Sequence, residues 1–506
     1  MKRIGARGHR FTEGTLAAGA RAAVGVAGTA EAIAVILLLA GAAAAVAQQT
    51  PGPAVAQQAP GPAPGDEQPV LHRIAAAVSA ERIEADIRRL AGFGTRHTLS
   101  DTLSETRGIG AARRWIRAEF DRISAACGGC LEISYQTSYV GGTRRIPDTT
   151  AVVNVIAILR GTSDPNRYVV MSGDIDSRAS RALDSTTDAP GANDNASGMA
   201  GVLEAARVLT GYRFPASIVF AGLSGEEQGL FGGQHMARVA KEAGWRIEAV
   251  LNNDMIGNTR GQNGVDDNTV ARVFSEGIRA DETERMARLR RFTGGEVDSP
   301  SRNLARYVDR IADRYVPNLD MMMVYRLDRF GRGGHHRPFN DVGYPAVRIM
   351  EANEDYRRQH QDVRVEDGVA YGDVVEEVEF DFAAKLTALN AVTLASLAWA
   401  PPPPRAVRIQ GAVRPSTTLS WEPIPRERAP ELAGYRVHWR LTDQPRWQWS
   451  VYVGDVAEHT LENVVIDNYI FGVASVSEDG FESPVVFPGP VGAFEPVGWE
   501  RDGGER

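Results

Sequence analysis

What most constrains this chain is how its apolar strand-like runs end. Tyr168–Met171 runs into Ser172-Gly173-Asp174-Ile175-Asp176. Ser217–Gly222 is followed by Glu226-Glu227, and Ala249–Asn252 runs into Asn253-Asp254-Met255. Between the first two lies Asn193-Asp194-Asn195, followed by a helix-like run, Ala196 to Leu209, with Met199, Val202, Leu203, Ala206 and Leu209 at helical spacing. Taken singly, Asn-Asp-Asn reads as a loop with a helix N-cap, and a Glu pair reads as a solvated surface. Repetition changes the reading. In an open α/β sheet, ligands bind beyond the carboxyl ends of the strands, and here strand after strand delivers a carboxylate to that edge.

The rest of the globular part agrees. Ile109, Ala112, Ile116, Phe120 and Ile123 predict a helix, and Leu131–Tyr139, Ala151–Leu159 and Ala346–Met350 predict strands. A last helix is expected over Phe382–Leu397. Alternating strands and helices from 70 to 400 predict an α/β domain with a mainly parallel central sheet flanked by helices. Pro401–Pro404 then marks a boundary. Beyond it, residues 401–495 carry short strand patterns around Trp421, Tyr435 and Trp439, the signature of a small C-terminal β-sandwich. Its strand spacing resembles a fibronectin type III domain, and its expected role is structural, or docking to a surface or polymer. Residues 496–506 are a tail.

The N-terminus differs in kind. Lys2, Arg3, Arg7, Arg10 and Arg21 precede an apolar stretch, Ala30 to Ala47, that ends Ala45-Val46-Ala47. Residues 1–47 therefore read as a signal peptide, with an uncleaved membrane anchor as the alternative. An exported protein is expected: periplasmic, cell-surface or secreted. Residues 48–69 are rich in Pro, Gln, Ala and Gly and form a spacer unable to bury a core. The formal net charge of −8 and the absence of a long basic run argue against nucleic acid as a partner. The two cysteines, Cys127 and Cys130, read as a local disulfide in an exported chain.

Asp174, Asp176, Asp194, Glu226, Glu227 and Asp254, with His360 from Gln359-His360-Gln361, would repel one another at one sheet edge without cations. Two divalent metals about 3.5–4 Å apart, bridged by a carboxylate, would resolve this. Adjacent Glu residues point in different directions, so one can bind metal while its neighbour serves as a general base.

In this order the motifs resemble the exported zinc aminopeptidases of the bacterial leucyl aminopeptidase and aminopeptidase Y type. That family has a His-x-Asp, a Gly-x-x-Asp-Asn, a Glu-Glu, an Asp-Met after Asn, and a late His. Here they read Asp174-Ile175-Asp176, Gly191-Ala192-Asn193-Asp194-Asn195, Glu226-Glu227, Asn253-Asp254-Met255 and His360. The likeness spans roughly residues 80–400. It implies two metals, zinc in the family, with Asp194 bridging. Glu227 and His360 would complete one site, and Asp254 and Asp174 the other. Glu226 would be the general base, and Asp176 would orient the family's histidine. The substrates implied are peptides, cut at the N-terminal residue.

Two positions depart from the pattern. Asp174 stands where the family has His, which makes that site all carboxylate and favours Mn or Mg there over Zn. Gly334-His335-His336-Arg337-Pro338-Phe339 stands where the family often has Asp-His-x-Pro-Phe; His335 replaces the Asp, and His336 is expected near the substrate. The alternatives are a related carboxypeptidase or cyclase on the same fold, or a binding protein with a weakened metal site. A serine hydrolase elbow at Gly222-Leu223-Ser224-Gly225-Glu226 fails, because its last Gly is Glu226.

Overall fold

A computed structural model describes residues 63–490. The signal-like stretch 1–47, most of the 48–69 spacer and the 496–506 tail lie outside the described residues. An eight-stranded sheet organises the chain, in the order β1-β2-β4-β3-β5-β8-β6-β7. The strands are β1 (Leu131–Val140), β2 (Thr150–Leu159), β3 (Asp164–Asp174), β4 (Ala216–Leu223), β5 (Arg246–Asn253), β6 (Val270–Ser275), β7 (Asp320–Val324) and β8 (Ala346–Glu351). β4, β3, β5 and β8 run parallel side by side, as the sequence predicts. β1 and β2 form an antiparallel edge. Only residues 141–149 join them, too few for the crossover that parallel strands need. The short β6 and β7 extend the other edge, beyond the strands expected from the sequence.

Helices cover both faces, so the central strands are apolar on both sides. Along β3, Val169 and Met171 pack into the larger core cluster, and Tyr168 and Val170 into the smaller one opposite. The larger cluster is built with α1 (Pro69–Ala77), α2 (Ala80–Ala91), α3 (Gly108–Ala126) and α4 (Gly198–Leu209). After the single turn α5 (Glu226–Gly229), α6 (Phe231–Glu242) covers the opposite face. There follow α7 (Glu284–Thr293), α8 (Pro300–Tyr315), the short α9 (His336–Asp341) and α10 (Phe380–Trp399). By length and composition α10 could cross a membrane, but 83% of its apolar window is buried against the sheet and its neighbours, which makes it a core helix. Cys127 and Cys130 form a disulfide just after α3.

Two glycines let α4 start directly above the site. A Cβ on Gly173 would come within 2.7 Å of the Gly198 backbone, and one on Gly198 within 2.3 Å of the Asn253 carbonyl oxygen. Strand end and helix start can touch only because neither carries a side chain.

After a small hairpin, β9 (Arg364–Glu366) and β10 (Val369–Tyr371), the C-terminal strands are β11 (Arg405–Gln410), β12 (Thr417–Glu422), β13 (Leu432–Leu441), β14 (Trp449–Gly454), β15 (Glu458–Leu461), β16 (Tyr469–Ser477) and β17 (Gly489–Pro490). They form two sheets, β15-β12-β11-β17 and β14-β13-β16, around Leu419, Trp421, Tyr435, Val437 and Phe471. This unit is not an appendage. Phe481 belongs to the main core cluster and stacks on Trp399, with ring centroids 5.0 Å apart.

Glu482 lies at the same junction. Arg310 of α8 reaches it at 2.7 Å, His438 at 2.9 Å and Arg436 at 3.2 Å. Burial alone would raise its pKa; Arg310, then His438 and Arg436, instead hold it well below the usual carboxylate range. A folded pKa below the unfolded one means that the stabilisation is full above the unfolded value, about 4.3 for Glu, and is lost as pH falls toward the folded value. Glu482→Gln is therefore expected to lower the melting temperature clearly at pH 6. Its gap to the parent should narrow as the pH is lowered through 4. A gap that stays constant across this range refutes the assignment.

Candidate active site

Each functional side chain sits where a parallel strand stops. β3 ends in Asp174 and continues to Asp176; the turn after β4 delivers Glu226 and Glu227; β5 is followed by Asp254. Asp194 comes from a wide helical turn, Ala192–Ser197, that leads into α4, and the Asp194–Asn195 peptide bond is cis. His360 lies on the loop after β8. Both His360 (φ +53°) and Met255 (φ +66°) adopt left-handed backbone that non-glycine residues seldom occupy, a strain of order 1–3 kcal/mol each and a feature that clusters at functional sites.

Asp194, Glu227 and His360 converge. His360 Nε2 is 2.8 Å from Glu227 Oε1 and 3.1 Å from Asp194 Oδ2, and the three ligand atoms lie within 4.8 Å of one another. Glu227 Oε1 is buried yet receives no aligned hydrogen bond. Burial alone would lower the pKa of His360, but Glu227 and then Asp194 more than offset it and push it up to about 9. Two carboxylate oxygens and one imidazole nitrogen around a point with an unsatisfied oxygen is the donor set of a divalent ion that accepts mixed N and O ligands. The residues fit such a group.

The turn that holds Asp194 is itself held. Asp373 accepts the backbone N–H groups of Asn193 (2.8 Å) and Asp194 (2.6 Å), and Asn193 Nδ2 donates to Glu351 at the end of β8 (2.8 Å). Arg96, fully buried, donates to the carbonyl of Gly191 (2.9 Å) and of Ile175 (2.9 Å). Sequence reasoning singled out none of these three residues, because their role is to satisfy backbone groups far away in the chain.

Asp176 has a different task from the one the resemblance implies. It accepts the N–H groups of Glu226 (3.2 Å) and Glu227 (3.1 Å) and the hydroxyl of Thr98 (3.1 Å). It caps the Glu-Glu turn and so aims both side chains, rather than orienting a histidine at 174. His336 is also corrected. It is fully buried, and its Nε2 donates to the Leu327 carbonyl at 2.7 Å, so it does not reach the substrate side. Its neighbour enters the site instead: His335 Nδ1 lies 2.5 Å from Asp174 Oδ1, while its Nε2 is buried without a partner. Burial holds the His335 pKa down to about 4, so the ring is neutral.

Asp174 and Asp254 end neighbouring strands but do not join the metal-suited cluster; among the described residues, no such set of three contains either one. Asn195 Nδ2 donates to Asp174 Oδ2 at 2.7 Å. Asp254 Oδ2 pairs with the buried guanidinium of Arg348, on β8, at 2.8 Å. An arginine among Ala346, Val347, Ile349 and Met350, in a strand buried along its length, was the available signal for this partner. Glu226 makes none of these contacts. Burial, then Asp254, Glu227, Asp174 and Asp194, push its pKa well above the usual carboxylate range.

A cleft of about 750 Å³ opens over Asp194, Glu226, Glu227, Asp254 and His360. Its walls carry Arg145, Arg178, Arg329, Arg332 and Arg337. Arg329 and Arg332 pair with Glu354, and Arg178 lies 3.8 Å from Glu227; among the described residues Arg145 and Arg337 have no carboxylate partner.

A largely parallel α/β sheet whose strand ends bring together a metal-suited carboxylate–imidazole set and a half-buried spare glutamate fits a metal-dependent peptide hydrolase. The chain belongs to peptidase family M28, whose description matches residues 154–367. It is 42% identical over 431 residues to a probable zinc metalloprotease of Pyrenophora teres f. teres, covering 84% of this chain and 88% of that one. A probable zinc metalloprotease of Pyricularia oryzae is 43% identical over 417 residues, covering 82% and 83%. Among solved structures, the LapA aminopeptidase of Legionella pneumophila aligns with a TM-score of 0.48 at 18% identity, over 68% of this chain and 78% of that one.

Proposed function

We propose that this M28 peptidase is an exported aminopeptidase that removes N-terminal residues from peptides, with zinc held by Asp194, Glu227 and His360. The observation that carries the reading is the separation of roles between two adjacent glutamates. Glu227 reaches His360 and Asp194, whereas Glu226, fixed by the same Asp176 cap, stays beside the cluster without joining it. Zinc, named in the relatives, would be held by Asp194, Glu227 and His360 and would supply Lewis-acid polarisation of a carbonyl and a lowered pKa for water. Glu226 takes the proton of the attacking water and passes it to the leaving amine. Its raised pKa suits the second half of that task; a nearby dication would lower it again toward the range a base needs. The signal-like N-terminus is the basis for placing the enzyme outside the cytoplasm.

The arginine-lined walls favour one alternative, a carboxypeptidase, because guanidinium groups pair well with a substrate carboxylate. Two blocked peptides separate the readings. The aminopeptidase should cleave a peptide with a free amine and an amidated C-terminus, and leave untouched its N-acetylated counterpart with a free carboxylate. The reverse pattern makes the enzyme a carboxypeptidase, and turnover of neither removes the exopeptidase reading.

A further inference from the structure

The sequence predicts two metal ions, yet the two halves of the site are built differently. The Asp194–Glu227–His360 half has an unsatisfied buried oxygen at its centre, and the arginine paired with its carboxylates, Arg178, stays 3.8 Å from Glu227. In the Asp174–Asp254 half, a cation is already in place.

That cation is Arg348. β8 pairs with β5 so that Arg348 stands beside Asn252, two residues before Asp254. Its side chain is fully buried. Nη2 forms an ion pair with Asp254 Oδ2 (2.8 Å) and donates to the Asp254 carbonyl (3.2 Å). Nη1 donates to both oxygens of Asp328 (3.1 Å each) and to the Gly333 carbonyl (2.9 Å). Five acceptors hold the guanidinium rigidly, and arginine does not lose its charge in a protein. The partner carboxylate is engaged as well. Asp174 meets His335 Nδ1 through Oδ1 (2.5 Å) and Asn195 Nδ2 through Oδ2 (2.7 Å), so both its oxygens are already in hydrogen-bond contact with a protein nitrogen.

We propose that this chain holds a single divalent ion, at Asp194, Glu227 and His360, and that Arg348 stands as the resident cation beside Asp254 and Asp174 where a second metal would otherwise bind. The inference rests on the metallopeptidase reading. A dication bound to Asp254 would share that carboxylate with the guanidinium, and the repulsion between them, which the Asp328 carboxylate offsets only in part, would weaken its binding. An aspartate at 174 adds a carboxylate to this half of the site, where Arg348, shared between Asp254 and Asp328, is a cation that no ion has to bring. Asp254 Oδ1 is buried and without a donor, an atom on this side that a second ion would use.

The test counts ions without relying on turnover. The purified full chain, stripped of metal and titrated with Mn(II), should bind one ion, measured by elemental analysis, and give the isolated six-line resonance of a mononuclear centre. Two ions per chain with an exchange-coupled spectrum would overturn the proposal. No ion at all would overturn it together with the metallopeptidase reading, which separates the two failures. His360→Ala should weaken binding at the single site; a variant that holds its ion as tightly as the parent refutes the assignment. Arg348→Leu, if folded, should raise the count from one to two, and a folded variant that still binds one ion shows that Arg348 does not exclude the second.

Discussion

Glu226→Gln is expected to lower kcat by about 10²- to 10⁴-fold while leaving metal content and KM close to those of the parent. The substitution keeps the shape and removes only the capacity to take up a proton. The backbone N–H of residue 226 still donates to Asp176, so the turn that aims Glu227 is undisturbed. Glu226 lies outside the group of ligand atoms formed by Asp194, Glu227 and His360, so the ion should stay bound. Glu227→Gln should behave differently, losing metal and activity together, because Oε1 faces His360 Nε2 at 2.8 Å. A Glu226→Gln enzyme within tenfold of the parent, at equal metal content, would remove the general-base role.

Asp298→Ala is expected to destabilise the whole folded chain by about 3–5 kcal/mol, the usual result of leaving buried charges without a partner. Asp298 precedes α8 and is completely buried at its side chain. It binds Arg306 of α8 at 3.0 Å and Arg440 of β13 at 2.7 Å, and both guanidinium groups are nearly inaccessible. One carboxylate therefore joins the α/β part to the C-terminal sheets, and its removal strands two cations in the interior. Arg446 repeats the link at a more exposed place, with 2.6 Å to Asp309 of α8. Urea unfolding should show a single transition at a lower midpoint, because the two parts share the Phe481–Trp399 contact and unfold as one body. Two separated transitions, with the α/β part unaffected, would show that the C-terminal sheets are independently stable and merely attached.

The single-body behaviour bears on the chemistry. α8, which carries Arg306 and Arg310, packs under β6 and β8, and β8 carries Arg348 and Glu351 to the site. The C-terminal sheets thus brace the strand that supplies one wall of the active site.

Read residue by residue, the chain announced its sheet. The apolar runs at Tyr168–Met171, Ser217–Gly222, Ala249–Asn252 and Ala346–Met350 are local patterns, and in the structure all four lie in the parallel core. Asp194, Glu226, Glu227, Asp254 and His360 were legible for the same reason. They sit at fixed short distances from those runs, and the strand-end rule carries them to one edge. The structure brings all five to one cleft.

What the tertiary structure alone decided are contacts between residues far apart in the chain. Asp174 meets His335 across 161 positions. Asp194 is held by Asp373 across 179, and Asp254 is paired with Arg348 across 94 through a guanidinium that must cross from β8 to β5. A periodic pattern records which face of an element is buried, and it holds no information about which distant polar group will satisfy a buried charge. That depends on strand order and register. Once the sheet places β8 next to β5, an arginine between apolar neighbours has the carboxylates of Asp254 and Asp328 within reach, and the local cation balance follows. The sequence by itself determined the sheet, its edge and the reactive residues; packing decided that one half of that edge is shaped for an ion and the other already carries its positive charge.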